Sequence, residues 1–198
     1  MMLALKSVVT PDRRSGDRRY RPVLLIGRVE GAGAPVCLVH DISAEGLMAR
    51  FPDPPAVGDS LSVEVRGLPP IRATVRWIDG PKAGLRFDER QDVTRLFAIQ
   101  REDGTVARAP RFPLAAPAQL RLGERRLAAE LVDLSAGGAK LALTDPVQRG
   151  ETGALHLSAI DAPLFGALCW SRDDRAGFRF AAPLTLPMLS GILKATPA

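Results

Sequence analysis

The sequence predicts an all-β fold built twice: two tandem domains, each of six short strands forming a small closed barrel or sandwich. Three observations carry this. Landmarks in the chain recur at an offset of 92 to 93 residues. Its apolar residues come in short runs with a period of two, the signature of strands with one face in and one face out. Eighteen glycines and 17 prolines punctuate those runs, as turns require.

The repeat is read from five landmarks in one order. Asp41-Ile42-Ser43-Ala44-Glu45-Gly46 returns as Asp133-Leu134-Ser135-Ala136-Gly137-Gly138, both D-x-S-x-x-G. Gly58 returns as Gly150, Trp77 as Trp170, and Ala83-Gly84-Leu85-Arg86-Phe87 as Ala176-Gly177-Phe178-Arg179-Phe180. A period this long exceeds the roughly 20 to 50 residues of a solenoid unit, so each copy is a domain. The organisation that follows is a flexible basic arm over 1–21, a first domain over 22–100, a linker over 101–110 and a second domain over 111–198.

In the first copy, strands are expected over Val23–Val29, Val36–Val39, Leu47–Phe51, Leu61–Val65, Ile71–Trp77 and Leu85–Phe87. Ile71, Ala73, Val75 and Trp77 alternate with Arg72, Thr74 and Arg76, which predicts an inward-facing Trp77. From Asp88 to Gln100 the period lengthens. Val93, Leu96, Phe97 and Gln100 then share a helical face, which predicts a closing helix. The second copy repeats the plan over Leu114–Leu120, Leu127–Val132, Ala139–Leu143, Ala154–Leu157, Leu164–Trp170 and Phe178–Phe180. Its closing helix is expected around Leu186–Leu193, interrupted by Gly191.

Charge is unevenly placed. Residues 1–21 hold six basic and two acidic side chains, a net +4, which leaves +1 for the other 177 residues. A near-neutral body argues against a broad DNA- or RNA-binding surface, and the arm argues for a local anion contact. The chain has one Tyr and two Trp, both Trp expected in core positions, so stacking platforms for single strands are not indicated. No apolar run approaches the roughly 20 residues of a membrane-spanning helix, and Met1–Thr10 does not read as a secretory signal. Cys37 and Cys169 are not repeat-equivalent. Both are expected as buried strand residues in a reducing compartment, not as a disulfide or a metal site.

No catalytic set is evident. His40 and His156 are not repeat-equivalent, and no phosphate-binding P-loop or zinc-protease motif is present. The arm and the first turn make a better constellation. Arg14-Ser15-Gly16-Asp17-Arg18 is R-x-x-x-R, and Arg18 stands 23 residues before Asp41. The arginine fork pairs with phosphate oxygens or guanine O6 and N7 and stacks on bases. Asp41 offers carboxylate oxygens to guanine N–H groups, Ser43 donates to phosphate or ties the turn, and Gly46 permits close backbone approach. The pattern fits a small anionic ligand bearing guanines.

With R-x-x-x-R at Arg14 and Arg18, D-x-S-x-x-G at Asp41, Ser43 and Gly46, V-x-W at Val75-Arg76-Trp77 and the Ala83–Phe87 ending, the chain resembles a tandem PilZ-domain protein. The resemblance covers about 12–100 and again 108–190. It implies two six-stranded PilZ-type β-barrels, each with a short C-terminal helix. It further implies a cytoplasmic, non-enzymatic effector that binds the bacterial second messenger cyclic di-GMP without another cofactor and acts on a downstream protein. By the same resemblance Arg14, Arg18, Asp41, Ser43 and Gly46 form the site, with Arg13, Arg19 and Arg21 as helpers. The second copy departs from the pattern. Arg111, Asp133, Ser135 and Gly138 are present, but Ala107 stands where the first clamp arginine belongs. This degenerate site is expected to bind weakly or not at all. The alternative reading is an interaction adaptor that needs no ligand.

Overall fold

The structure, a computed structural model, describes residues 23–31, 35–97 and 107–196. The arm arginines Arg13, Arg14, Arg18, Arg19 and Arg21 lie outside the described residues. The chain divides into two compact units at Arg108 and Ala109. In the first, β1 (Leu25–Glu30), β2 (Val36–Ser43), β3 (Gly46–Arg50), β4 (Ser60–Val65), β5 (Ile71–Asp79) and β6 (Lys82–Phe87) close into one barrel. Every pairing is antiparallel, in the order β1-β2-β3-β6-β5-β4. In the second, β7 (Phe112–Leu122), β8 (Arg125–Ser135), β9 (Gly138–Leu143), β10 (Thr152–Leu157), β11 (Leu164–Arg172) and β12 (Arg175–Phe180) close in the matching order β7-β8-β9-β12-β11-β10. Closure pairs every strand on both sides and removes the free edges that a sheet of this size would expose.

The alternating runs fill each barrel from all six strands. Val29, Val39, Leu47, Val63, Val75 and Leu85 form part of one buried core. Leu120, Leu131, Leu141, Leu155, Leu168 and Phe178 are buried in the second unit. There the Phe178 and Phe180 rings meet edge-on at 6.2 Å, a favoured aromatic geometry.

The alternation fails at one place in β2 and one in β5. The register shifts between Val39 and Asp41, so His40 has no opposite partner. It shifts again between Val75 and Trp77, at Arg76. Both bulges recur in the second barrel, at Val132 and at Cys169. One extra residue inverts the phase of everything after it. The expected inward Trp77 is therefore corrected: it is 45% exposed, and Trp170 is 38% exposed. The expected burial of both cysteines is corrected in the same way. Cys37 is buried, but Cys169 is the bulged residue and is exposed, its Sγ 3.2 Å from the Gly177 carbonyl.

The closing segments differ. In place of a helix over 88–100, Val93–Phe97 forms a five-residue 3-10 turn, and Ala98–Gln100 lie outside the described residues. Asp92 accepts from the Thr94 amide at 3.1 Å and from the Thr94 hydroxyl, and these bonds hold its carboxyl below the usual carboxylate range. Val93 and Leu96 still reach the core, because a spacing of three fits a 3-10 turn as well as an α-helix. The second unit has a true helix, α1 (Leu186–Ala195). Thr185 caps it by accepting from the Met188 amide, Pro187 sits in its first turn, and Leu189 and Ile192 face inward. Among the described residues no helix is long and apolar enough to cross a membrane.

Burial pushes the Cys37 thiol up to about 12. At pH 8 only about one such thiol in ten thousand is ionised, and the thiolate is the reactive form. A colorimetric disulfide reagent should therefore titrate one thiol per native chain, Cys169, and a second only in denaturant. Removal of the signal by Cys37→Ala instead of Cys169→Ala would contradict the assignment.

Candidate ligand site at the first aspartate hairpin

The β2–β3 hairpin is built by its own sequence. Ser43 Oγ donates to the Gly46 carbonyl at 3.3 Å and accepts from the Glu45 amide at 3.4 Å, closing the Ala44-Glu45 turn. Downstream residues hold the turn from outside: the Phe87 amide bonds Glu45 and the Gln91 amide bonds Ala44, each at 2.8 Å. Gly46 is needed for space, since a Cβ there would stand 2.3 Å from the Leu85 carbonyl oxygen. The second hairpin repeats most of this. Ser135 Oγ donates to Gly138 at 3.1 Å, Phe180 and Leu184 amides bond Gly137 and Ala136, and a Cβ on Gly138 would stand 2.5 Å from the Phe178 carbonyl oxygen. The serine and glycine of D-x-S-x-x-G thus make the turn in both copies.

The aspartate does something else. The bulge at His40 turns Asp41 opposite Met48 on the outer face, while Ile42 and Leu47 point inward. A pocket of about 700 Å³ opens there, lined by Asp41, Ser43 and Gly46 together with Arg76, Trp77 and Arg86. Of the residues expected at the site, Asp41, Ser43 and Gly46 come together. The chain enters β1 beside them, since the Val23 amide donates to the His40 carbonyl at 2.9 Å. Nε2 of His40 is buried without a partner among the described residues. Among those residues no cluster of three or more His, Cys, Asp or Glu could hold a metal ion.

Arg76, Trp77 and Arg86 were not expected at the site. Trp77 pairs with Gly84, and a Cβ on Gly84 would lie 2.0 Å from the indole Nε1, so the ring rests on bare backbone. Trp170 rests on Gly177 in the same way. The recurrence of tryptophan with A-G-x-R-F was the available signal, because it marks one cross-strand unit. Arg86 is opposite Gly46, next to the aspartate hairpin.

In the second barrel, Asp133 is already engaged by the Arg111 guanidinium in an ion pair. Lys140 stands opposite Asp133 where Met48 stands opposite Asp41. Ala107, at the position of the missing arginine, is buried.

The model of the PilZ domain matches this sequence twice, over residues 12–99 and 105–194. The chain belongs to the PilZ-domain family. Among solved structures it is similar to Borreliella burgdorferi PlzA in complex with c-di-GMP, at 12% identity and a TM-score of 0.42 over 85% of this chain and 86% of that one. It is also similar to the Bacillus subtilis inhibitor of motility, MotI, at 12% identity and a TM-score of 0.37 over 86% and 94%. A third is Escherichia coli YcgR in complex with c-di-GMP, at 18% identity and a TM-score of 0.30 over 79% and 76%. No curated protein matches the chain.

Adjacent glycines of the second PilZ domain separate turn-building from ornament. A Cβ on Gly137 meets nothing within 4 Å, whereas one on Gly138 collides with backbone. Gly138→Ala should cost about 1–3 kcal/mol, the range for overpacking. Gly137→Ala should change stability by less than about 0.5 kcal/mol. Urea unfolding followed by Trp170 fluorescence in a Trp77→Phe background distinguishes them, and equal midpoints would contradict the steric argument.

Proposed function

We propose that this chain is a cyclic di-GMP-binding effector of the bacterial cytoplasm. The first PilZ domain and its arginine arm hold the ligand; the second does not bind it. The observation that carries this reading is the entry of the arm. With Val23 pinned to His40, the chain comes in one residue from Asp41. Arg18 is five residues upstream, within about 17 Å of extended backbone, and Arg14 nine residues, within about 30 Å. Both arginines thus have the reach to close over the pocket of Asp41, Ser43 and Gly46, with Arg13, Arg19 and Arg21 as flanking cations. The Arg111–Asp133 pair supports the same placement, because it joins an arginine just before the first strand to the equivalent carboxylate.

In this mechanism the two phosphates of the ligand neutralise arginines, and the guanine edges meet the Asp41 carboxylate. The arm carries a net +4, a charge that repels itself until the ligand neutralises it, and orders over the first domain when the ligand arrives. That ordering presents a new surface to a downstream protein. No bond is made or broken and no further cofactor is needed. The buried alanine at 107, where the first clamp arginine would stand, favours the ligand-independent adaptor reading for the second domain.

Calorimetry of the full chain with cyclic di-GMP should show one class of site. Each arginine contact to a charged group is worth roughly 1.5–3 kcal/mol, so Arg14→Ala or Arg18→Ala should weaken binding by about ten- to a hundredfold or more. Arg111→Ala should leave affinity nearly unchanged. Trp77 lines the pocket, so ligand should alter emission in the Trp170→Phe chain and not in the Trp77→Phe chain. No heat at about tens of micromolar with folded protein would sink the proposal.

A further inference from the structure

The outer face of the second barrel carries a groove of about 780 Å³ that reaches the second aspartate hairpin only through Arg179, opposite Gly138. Its centre is Phe165, whose ring is 64% exposed, with Ala154 directly opposite on β10. Arg121 flanks Ala154 on β7, and Ala167 links the groove to Arg179 on β12. His156 lies next along β10, and no acidic residue lines the groove.

The first barrel shows what this face needs when it serves only the fold. Register for register, Arg121 replaces Glu30, Ala154 replaces Ser62, His156 replaces Glu64 and Phe165 replaces Arg72. There Arg28 pairs with Glu30 and lies 3.8 Å from Glu64, so both acids of the face have a cation beside them. In the second barrel both acids are gone, one replaced by an arginine, Gln119 stands in place of Arg28, and a phenyl ring is exposed at the middle in place of Arg72. Neither Arg121 nor Arg179 has a carboxylate partner among the described residues; Arg121 Nε donates to the Gly123 carbonyl at 3.1 Å. The same strands fold without these changes, so barrel stability does not call for them.

We propose that this groove is a docking surface for an acidic segment of a partner protein. An apolar side chain of that segment lies against Phe165 and Ala154, and carboxylates flanking it meet Arg121 and Arg179. Charge complementarity selects the occupant: two arginines rim an apolar floor, so flanking acids pair where flanking bases repel. The closed barrel offers no strand edge, so recognition runs through side chains and not through added backbone pairing. Two arginines are too few for nucleic acid, which needs a basic stripe along the backbone. An aromatic ring with arginine beside it is the composition that dominates protein-docking energetics.

The test is fluorescence anisotropy with a labelled peptide of repeating Glu-Glu-Leu, against the full chain. Two control peptides replace Glu by Lys or Leu by Ser. The acidic, leucine-bearing peptide should bind and both controls should bind at least about tenfold more weakly. Phe165→Ser should weaken it by about tenfold or more, and Arg72→Ala on the first barrel should not. Arg121→Glu with Arg179→Glu should transfer preference to the lysine peptide, an outcome that a misfolded chain cannot produce. Four results would overturn the proposal: no binding up to about 1 mM, equal binding by the Phe165→Ser chain, Phe165-dependent binding to anionic phosphatidylglycerol vesicles in place of the peptide, or Phe165-dependent self-association in sedimentation.

Discussion

Everything at the candidate site depends on two residues with no opposite number, His40 and Arg76. In a strand the two faces alternate without exception, so a residue two places after Val39 faces the core. Without the bulge at His40 that residue would be Asp41, aimed into the barrel core. Burying an unpaired carboxylate is expensive enough that the group would be neutralised or the strand would slip. The bulge lets one strand carry Val39 into the core and Asp41 onto the outer face. The bulge at Arg76 does the same for Trp77, whose indole then lies across Gly84 at the rim of the same pocket. A strained or irregular loop is not required; two inserted residues in regular strands suffice.

The duplication separates what the fold requires from what a ligand requires. Both barrels keep the bulges, the serine-tied hairpin, the close approach of its glycine and the tryptophan on glycine. These features lie on neighbouring strands and hold one another in place, so they travel together whether or not anything binds. D-x-S-x-x-G in a barrel of this kind is therefore first a hairpin instruction. What differs between the copies is the sequence ahead of the barrel, where Ala107 stands in the second copy at the position of Arg14 in the first. In the second barrel Arg111 pairs with Asp133 and no arginine stands four residues before Arg111.

Much of this was legible in the sequence. Each of the twelve strands lies where an alternating or short apolar run predicts one, because burial of one face is a period-two demand that residues such as Leu61, Val63 and Val65 state openly. The hairpin was legible because Asp, Ser and Gly have few other reasons to stand at that spacing. The errors fall where one residue changes the phase. Ile71, Ala73, Val75 and Trp77 look like one face, and nothing in the letters marks Arg76 as the extra residue. The same blindness placed Trp170 and Cys169 inside. The helix expected over 88–100 failed for a different reason: Val93 and Leu96 satisfy three-residue spacing, and Asp92 prefers to close a tight turn on Thr94. Arg86 was visible as a repeat landmark, but its position beside Gly46 is a cross-strand fact that sequence does not contain.

The near-neutral body makes local substitutions decisive. With +4 of the chain's +5 in the first 21 residues, no general field colours the surface of either barrel. At physiological salt a charge is felt over about 8 Å. A patch is then as basic as its own few side chains make it. Exchanging Arg28, Glu30, Glu64 and Arg72 for Gln119, Arg121, His156 and Phe165 removes the ion pairs and leaves Arg121 with no carboxylate partner among the described residues. An exposed phenyl ring in the same place adds an apolar floor that water penalises. A single exposed phenylalanine would be unremarkable on a protein surface. Its coincidence with the loss of both acids, on a face whose twin pairs Arg28 with Glu30 and Glu64, is what distinguishes a surface shaped for a partner from one that has merely drifted.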